Sequence, residues 1–294
     1  MTPEIEALRD GLERHGYVAD AAIATALFLS MELEKPLLIE GDAGVGKTET
    51  AKVLARLLGA ELIRLQCYDG LDASTALYEW NYPRQLLHAR LAQESGQNVA
   101  ETEAAIFGRE FLLERPLLRA ITRPEAAPVL LIDEIDRADD GFEAFLLEVL
   151  SDFQVTIPEL GTVRAVHTPH VVLTSNGTRE IGDALRRRCL YLYLEHPSLD
   201  KELRIVRTRV PAAGTQLSGE VARFVQALRR RRLAKAPGVA ETIDWAEGLV
   251  RLERGHVDAD TAVETLGCLL KDRHDLAAIG RGEVTELLRE AGRA

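Results

Sequence analysis

At 294 residues, 46% of them hydrophobic and 28% charged, the chain has enough apolar material for one large domain or two smaller ones. Its formal net charge is −11, and the whole acidic excess falls in residues 1–196; a surface of that sign repels a phosphate backbone, so nucleic-acid binding is not expected. The three cysteines, Cys67, Cys189 and Cys268, are far apart and odd in number, which excludes a disulfide framework and a CxxC metal site and fits a reducing, cytoplasmic setting.

The first residues, MTPEIEALRD, lack the basic start of a secretory signal, and the apolar stretch 21–31 is too short to span a bilayer. Two helices are expected over residues 3–34. Next comes Leu37-Leu38-Ile39, suited to a buried strand, and then GDAGVGKT over residues 41–48. That spacing fits G-x-x-x-x-G-K-[ST], the phosphate-binding loop. Glycines let the backbone curl so that successive N–H groups face phosphate oxygens. Lys47 adds a point charge for the β- and γ-phosphates, and the Thr48 hydroxyl is a ligand for Mg²⁺. The nucleotide-binding set expected is Gly41, Asp42, Ala43, Gly44, Val45, Gly46, Lys47, Thr48 and Glu49. Ala51, Leu54, Leu57 and Leu58 repeat at helical spacing until Gly59, completing strand, glycine turn and helix.

Residues 61–67 read as a second strand. Residues 69–125 read as mostly helical, with an aromatic cluster at 78–83, whose Trp80 is expected to pack inside the insert, and a polar break from Gln93 to Gln97. Four apolar residues, 129–132, then end in Asp133-Glu134. A buried strand ending in paired carboxylates puts Asp133 near the metal shell and Glu134 where it polarises a water for attack on the γ-phosphate. Asp136, Asp139 and Asp140 read as a solvated turn and helix start.

A helix over 142–153 precedes a hairpin, 154–157 and 162–165 about a Pro-Glu-Leu-Gly turn. The strand 170–175 runs into Asn176, a neutral polar residue able to hold the attacking water without competing for Mg²⁺. His167 and His170 are the closest pair of histidines, with no third ligand near them, so no metal cluster is expected. Arg186, Arg187 and Arg188 open the strand 190–194; an arginine there serves its own nucleotide or that of a neighbouring subunit, the alternative being a solvated basic turn. From Pro197 only helices are expected: 198–210, 218–233, 240–255, 258–270 and 282–291. The run 229–232 places cations at a helix end, where the macrodipole favours them.

Glycine loop, Asp-Glu strand, asparagine strand and arginine turn, in this order, resemble the AAA+ ATPases. More narrowly, the chain resembles the MoxR family, and within it the branch associated with maturation of carbon monoxide dehydrogenase and related molybdenum enzymes. The narrower likeness rests on LDASTALYEWNYPRQLLHARL (71–91), FGREFLLERPLLRAI (107–121), the hairpin, and ALRRRCLYLYLEHPS (184–198). It implies an α/β P-loop core with a parallel sheet, a helical insert and a pre-sensor 1 hairpin over residues 1–196, and an all-α lid over 197–294. It implies ATP and Mg²⁺ as ligands, Thr48 and Asp133 at the metal, Glu134 as catalytic base, Asn176 at the sensor 1 position, and Arg187 and Arg188 as arginine fingers. Partners implied are five further copies in a hexameric ring, a von Willebrand factor A domain protein and a client protein, with a molybdenum enzyme as the client of that branch. The lid departs from the family phrase Ser-Pro-Arg-Ala: it reads Gly238-Val239-Ala240-Glu241-Thr242, without the sensor 2 arginine, and Lys235 is the substitute nearby. Remodelling of a client driven by ATP hydrolysis is the function expected. A nucleic-acid motor or restriction-type NTPase, and a nucleotide-gated adaptor with little hydrolysis, are the alternatives.

Overall fold

The computed structural model describes residues 1–95, 98 and 105–293. The end of the polar break at 93–97 therefore lies outside the described residues. The chain divides into two compact units, one of residues 1–21, 41–53 and 193–294, the other of residues 22–40 and 54–192.

In chain order the elements are α1 (Pro3–Arg14), α2 (Ala21–Glu32), β1 (Leu37–Gly41), α3 (Lys47–Leu58), β2 (Leu62–Gln66), α4 (Ala73–Ala76), β3 (Tyr78–Trp80), α5 (Tyr82–Glu94), β4 (Leu112–Glu114), α6 (Pro116–Thr122), β5 (Val129–Asp133), α7 (Asp140–Asp152), β6 (Gln154–Ile157), β7 (Gly161–Arg164), β8 (His170–Ser175), α8 (Asp183–Arg186) and β9 (Leu190–Leu194). Helices follow: α9 (Leu199–Arg209), α10 (Gly214–Arg229), α11 (Val239–Arg251), α12 (Ala259–Thr265), α13 (Arg273–Ala278) and α14 (Arg281–Arg293).

Five strands form one sheet in the order β2-β5-β8-β1-β9. The pairs β2 with β5, β5 with β8, and β8 with β1 are parallel, and every residue of β5 is buried. A parallel strand is covered on both faces, which is why VLLID reads as a continuous apolar run rather than an alternation. The core of this unit joins Leu38, Leu130, Ile132 and Leu173 of the sheet to Leu117, Leu118 and Leu146 of α6 and α7. The core of the other unit is helical, built on Phe224 and Trp245, whose rings lie 5.1 Å apart, with Val221, Leu249 and Leu287.

Two expectations are corrected. The insert is not simply helical, because β3 and β4 form a small antiparallel pair that joins Tyr78 to Glu114 and Trp80 to Leu112; aromatic residues favour a pleated surface over a helix. Trp80 is buried there, edge-on to Phe107 at 5.5 Å, as packing requires. α13 was absent from the pattern: with six residues it is too short to show a period.

Candidate nucleotide site

The glycine loop grows out of β1 and ends at Lys47, the first residue of α3. Gly44 and Gly46 have φ of +80° and +102°, values a side chain resists, so the loop turns its main chain as a phosphate nest requires. A Cβ on Gly41 would lie 2.2 Å from the Leu194 carbonyl oxygen, so only glycine fits there. Lys47 is buried, and its Nζ donates to the carbonyls of Gly41 (2.6 Å) and Asp42 (2.7 Å). The loop therefore has a cation under it and the N-terminus of a 12-residue helix behind it, the two features that attract phosphate.

Three residues outside the expected set, Thr50, Tyr17 and His196, support the loop. Thr50 Oγ1 donates to the Gly46 carbonyl (3.2 Å) and lies 2.7 Å from the Tyr17 hydroxyl. Desolvation pushes the Tyr17 hydroxyl up to about 12, so it remains a neutral partner of Thr50. His196 Nε2 lies 3.4 Å from Asp42, and desolvation, then Arg229, holds this imidazole below its usual pKa. No spacing rule joins Tyr17 or His196 to the loop, since both arrive by tertiary contact.

In the other unit, β5 delivers Asp133 and Glu134. Asp133 is buried, accepts from Thr174 Oγ1 (2.6 Å) at one oxygen, and receives Arg64 Nε (3.1 Å) and Nη2 (2.5 Å) at the other. Glu134 stands in the left-handed region, φ 56° and ψ 51°, and its N–H donates to Thr174 Oγ1 (2.9 Å). For a residue with a side chain that conformation costs on the order of 1 kcal/mol or more, and such residues concentrate at functional sites. Gln66 Nε2 (3.2 Å) and Arg137 Nε (3.0 Å) both meet the Glu134 carboxylate.

Asp136 corrects the expected solvated turn. It is buried, and its Oδ2 accepts from the Asn176 N–H (3.2 Å), the Thr178 N–H (3.0 Å) and the Thr178 hydroxyl (2.6 Å). Desolvation opposes its ionisation, but the hydrogen bonds from Thr178 and Asn176 outweigh that and hold the carboxyl below its usual range. Asp139 caps α7 by accepting from the Phe142 N–H (2.8 Å), and Asp140 is exposed, as expected. The buried Glu143 pairs with Arg179 and accepts from the Gly182 N–H (2.8 Å), so two carboxylates hold the segment from Asn176 to Gly182.

The arginine turn is divided in its duties. Arg186 donates to Glu40 (2.9 Å) and stacks over Tyr191, Arg188 hydrogen-bonds Ser151, and Arg187 is exposed. Arg229 ends α10, as expected of a helix-end cation, and its side chain, 8% exposed, also donates at 2.7 Å from both Nη1 and Nη2 to the buried Glu202. Lys235 is exposed, with its N–H held by Asp275 (3.0 Å). Among the described residues no cluster of three metal-ligating side chains occurs, and no helix is long and apolar enough to cross a membrane.

The family model for the AAA domain of the dynein-related subfamily matches residues 36–189, more than half of the chain. The chain belongs to this AAA family of ATPases. Among curated proteins, this AAA ATPase is 25% identical over 248 residues to the gas vesicle ATPase GvpN of Haloferax mediterranei, covering 81% of this chain and 68% of that protein. It is 23% identical over 203 residues to midasin of Giardia intestinalis, covering 60% of this chain and 4% of that much larger protein. A solved putative ATPase from Cytophaga hutchinsonii superposes with a TM-score of 0.50 at 16% identity, covering 98% of this chain and 94% of that one, a likeness of fold. The AAA match spans β1 to the arginine turn and leaves the C-terminal helices outside it.

Proposed function

We propose that this AAA ATPase hydrolyses ATP with Mg²⁺ and uses the cycle to remodel a client protein. One observation carries the reading: β8 and β5 are parallel neighbours within one unit, and their carboxyl ends bear Asn176 and the Asp133-Glu134 pair. In doubly wound sheets, ligands bind at that edge. The main-chain N–H groups from Gly44 to Thr48 and the Lys47 ammonium hold the phosphates. The Thr48 hydroxyl and the Asp133 carboxylate are the oxygen donors for Mg²⁺, which when bound neutralises phosphate charge. Glu134 takes the proton of the attacking water, and Asn176 orients that water.

Arg187, being exposed, is the finger offered to a neighbouring subunit in a hexameric ring, with Arg188 beside it. The insert bears exposed Tyr82, Leu86, Leu87 and Leu91 on α5, an apolar surface suited to a client or to a von Willebrand factor A domain partner. A molybdenum enzyme as client follows from the MoxR resemblance, and the three dispersed cysteines support a cytoplasmic setting.

The decisive experiment is turnover by Glu134→Gln. The expected result is loss of hydrolysis with nucleotide binding retained, and full turnover would remove Glu134 from its role. Size measurement with ATP and Mg²⁺ tests the ring, since a chain that stays monomeric at high concentration has no neighbour to receive Arg187. The adaptor reading draws support from the contacts that engage both acids, Arg64 on Asp133 and Gln66 and Arg137 on Glu134. Turnover far below about 1 per second by the assembled protein would favour it.

A further inference from the structure

The lid position that carries an arginine in the MoxR phrase is filled here by main chain pressed on main chain. Gly238, the residue before α11, is buried, and its Cα faces Gly44 of the glycine loop within the same compact unit. A Cβ on Gly238 would lie 2.7 Å from Gly44 Cα and 2.9 Å from Gly44 C, while one on Gly44 would lie 3.0 Å from Gly238 Cα. Beside this contact the Val239 N–H donates to the Gly44 carbonyl at 2.8 Å. Gly238 has φ −83° and ψ −174°, extended backbone open to any residue, so glycine is needed here for space alone.

The turn that presents Gly238 is fixed from behind. Arg229 Nε donates to the Pro237 carbonyl (2.7 Å), and its two Nη atoms pair with Glu202, which is fully buried. Thr242 Oγ1 bridges Glu202 (2.9 Å) and the Gly238 carbonyl (3.0 Å), and Glu241 accepts from the Gly238 N–H (3.0 Å). At the start of the turn Asp275 accepts from the N–H groups of Ala234 (2.8 Å) and Lys235 (3.0 Å). An anchored turn transmits position, whereas a free one would only follow the loop.

We infer that Gly238 and the Val239 N–H are positioning residues for nucleotide binding: they dock the lid on the Gly44 carbonyl and hold the glycine loop in its phosphate-ready turn, in place of a lid arginine. This rests on the reading that the glycine loop binds nucleotide. Gly44 is held at φ +80°, so part of the entropy of ordering the loop is lost before the ligand arrives, and affinity rises accordingly. The dock uses the carbonyl of Gly44 and leaves the N–H groups of the loop to the phosphates.

The test is fluorescence titration of the full chain with methylanthraniloyl-ATP, with melting of the nucleotide-free protein measured alongside. Val239→Pro deletes the N–H and sets the ring Cδ against the Gly44 carbonyl, while proline is accepted at the first position of a helix. Gly238→Ala adds one methyl group at the contact. Each is expected to raise the dissociation constant by about five- to tenfold, the worth of one hydrogen bond or a forced separation. KM for ATP should rise in parallel while kcat holds within about twofold, the mark of lost ground-state positioning. Should Gly238→Ala lower the melting temperature, Val239→Pro decides. Wild-type affinity in a folded Val239→Pro protein would overturn the inference. Lys47→Ala separates the two levels: if it abolishes binding while Val239→Pro binds normally, the loop reading stands and the dock fails. A wild-type chain that bound no probe would sink both.

Discussion

Arg64 directs its guanidinium at Asp133, donating to Oδ2 from Nε at 3.1 Å and from Nη2 at 2.5 Å. The two sit on neighbouring strands, β2 and β5, where Gln66 is the direct partner of Asp133 in register and Arg64 lies two residues back on the same face. A buried carboxylate needs a counter-charge, and Arg64 supplies it from a side chain that is 48% exposed. In the proposed reading, Arg64 and a divalent cation would compete for one acid.

Replacing Arg64 by glutamine should lower the Mg²⁺ concentration needed for half-maximal ATPase, by about three- to fivefold, the range of a partly exposed pair. The measurement is a Mg²⁺ titration at saturating ATP. An unchanged or raised midpoint would mean that Arg64 orients Asp133 rather than competing for it.

Asp136→Ala removes the acceptor from the N–H groups of Asn176 and Thr178 at once. The expected loss is about 3 kcal/mol of stability, because buried donors are left unpaired. Chemical denaturation measures it. ATP turnover should fall as Asn176 loses its anchor, with KM little changed. Asp136→Asn, which keeps an acceptor oxygen, should recover part of both.

Glu202 with Arg229 is a buried ion pair, and taking away one partner strands a charge. Arg229→Ala should cost about 3–5 kcal/mol. Calorimetry should find the loss in the unit that contains the C-terminal helices. The double variant Arg229→Met with Glu202→Leu should recover much of it, since no charge then stays buried.

Burial keeps His170 and His196 below the usual histidine pKa; for His196 the charge of Arg229 adds to desolvation. A depressed folded-state pKa contributes stability above the unfolded value near 6.5 and loses it as pH falls through the folded value. Melting temperature should accordingly drop on acidification below about pH 6.5. His196→Gln should flatten part of that slope; an unchanged slope would show that His196 is not responsible.

Much of the fold could be read from local pattern. Continuous apolar runs gave β1, β5 and β8 because parallel strands are covered on both faces, and the helix periods of α3, α10 and α11 follow burial on one side. The small β3–β4 pair was hidden, since three-residue strands have no period and their partners are more than thirty positions apart. Among polar residues, Asp136 and Asp139 look alike in the sequence, three residues apart in an acidic run. One is buried under the Asn176 segment and the other caps a helix.

From the order of residues alone came the chemistry: a glycine turn between strand and helix, a strand ending in two acids, and a strand ending in asparagine. These depend on spacing of a few residues and on side-chain type, both of which a linear text carries. Only the tertiary structure decided which partners those groups meet. Arg64 reaches Asp133 across 69 positions of chain, and Gly238 meets Gly44 where the Arg229–Glu202 pair fixes the turn between α10 and α11. Such contacts are set by how the strands and helices pack, where a single methyl group or N–H changes the outcome, and no local pattern encodes them.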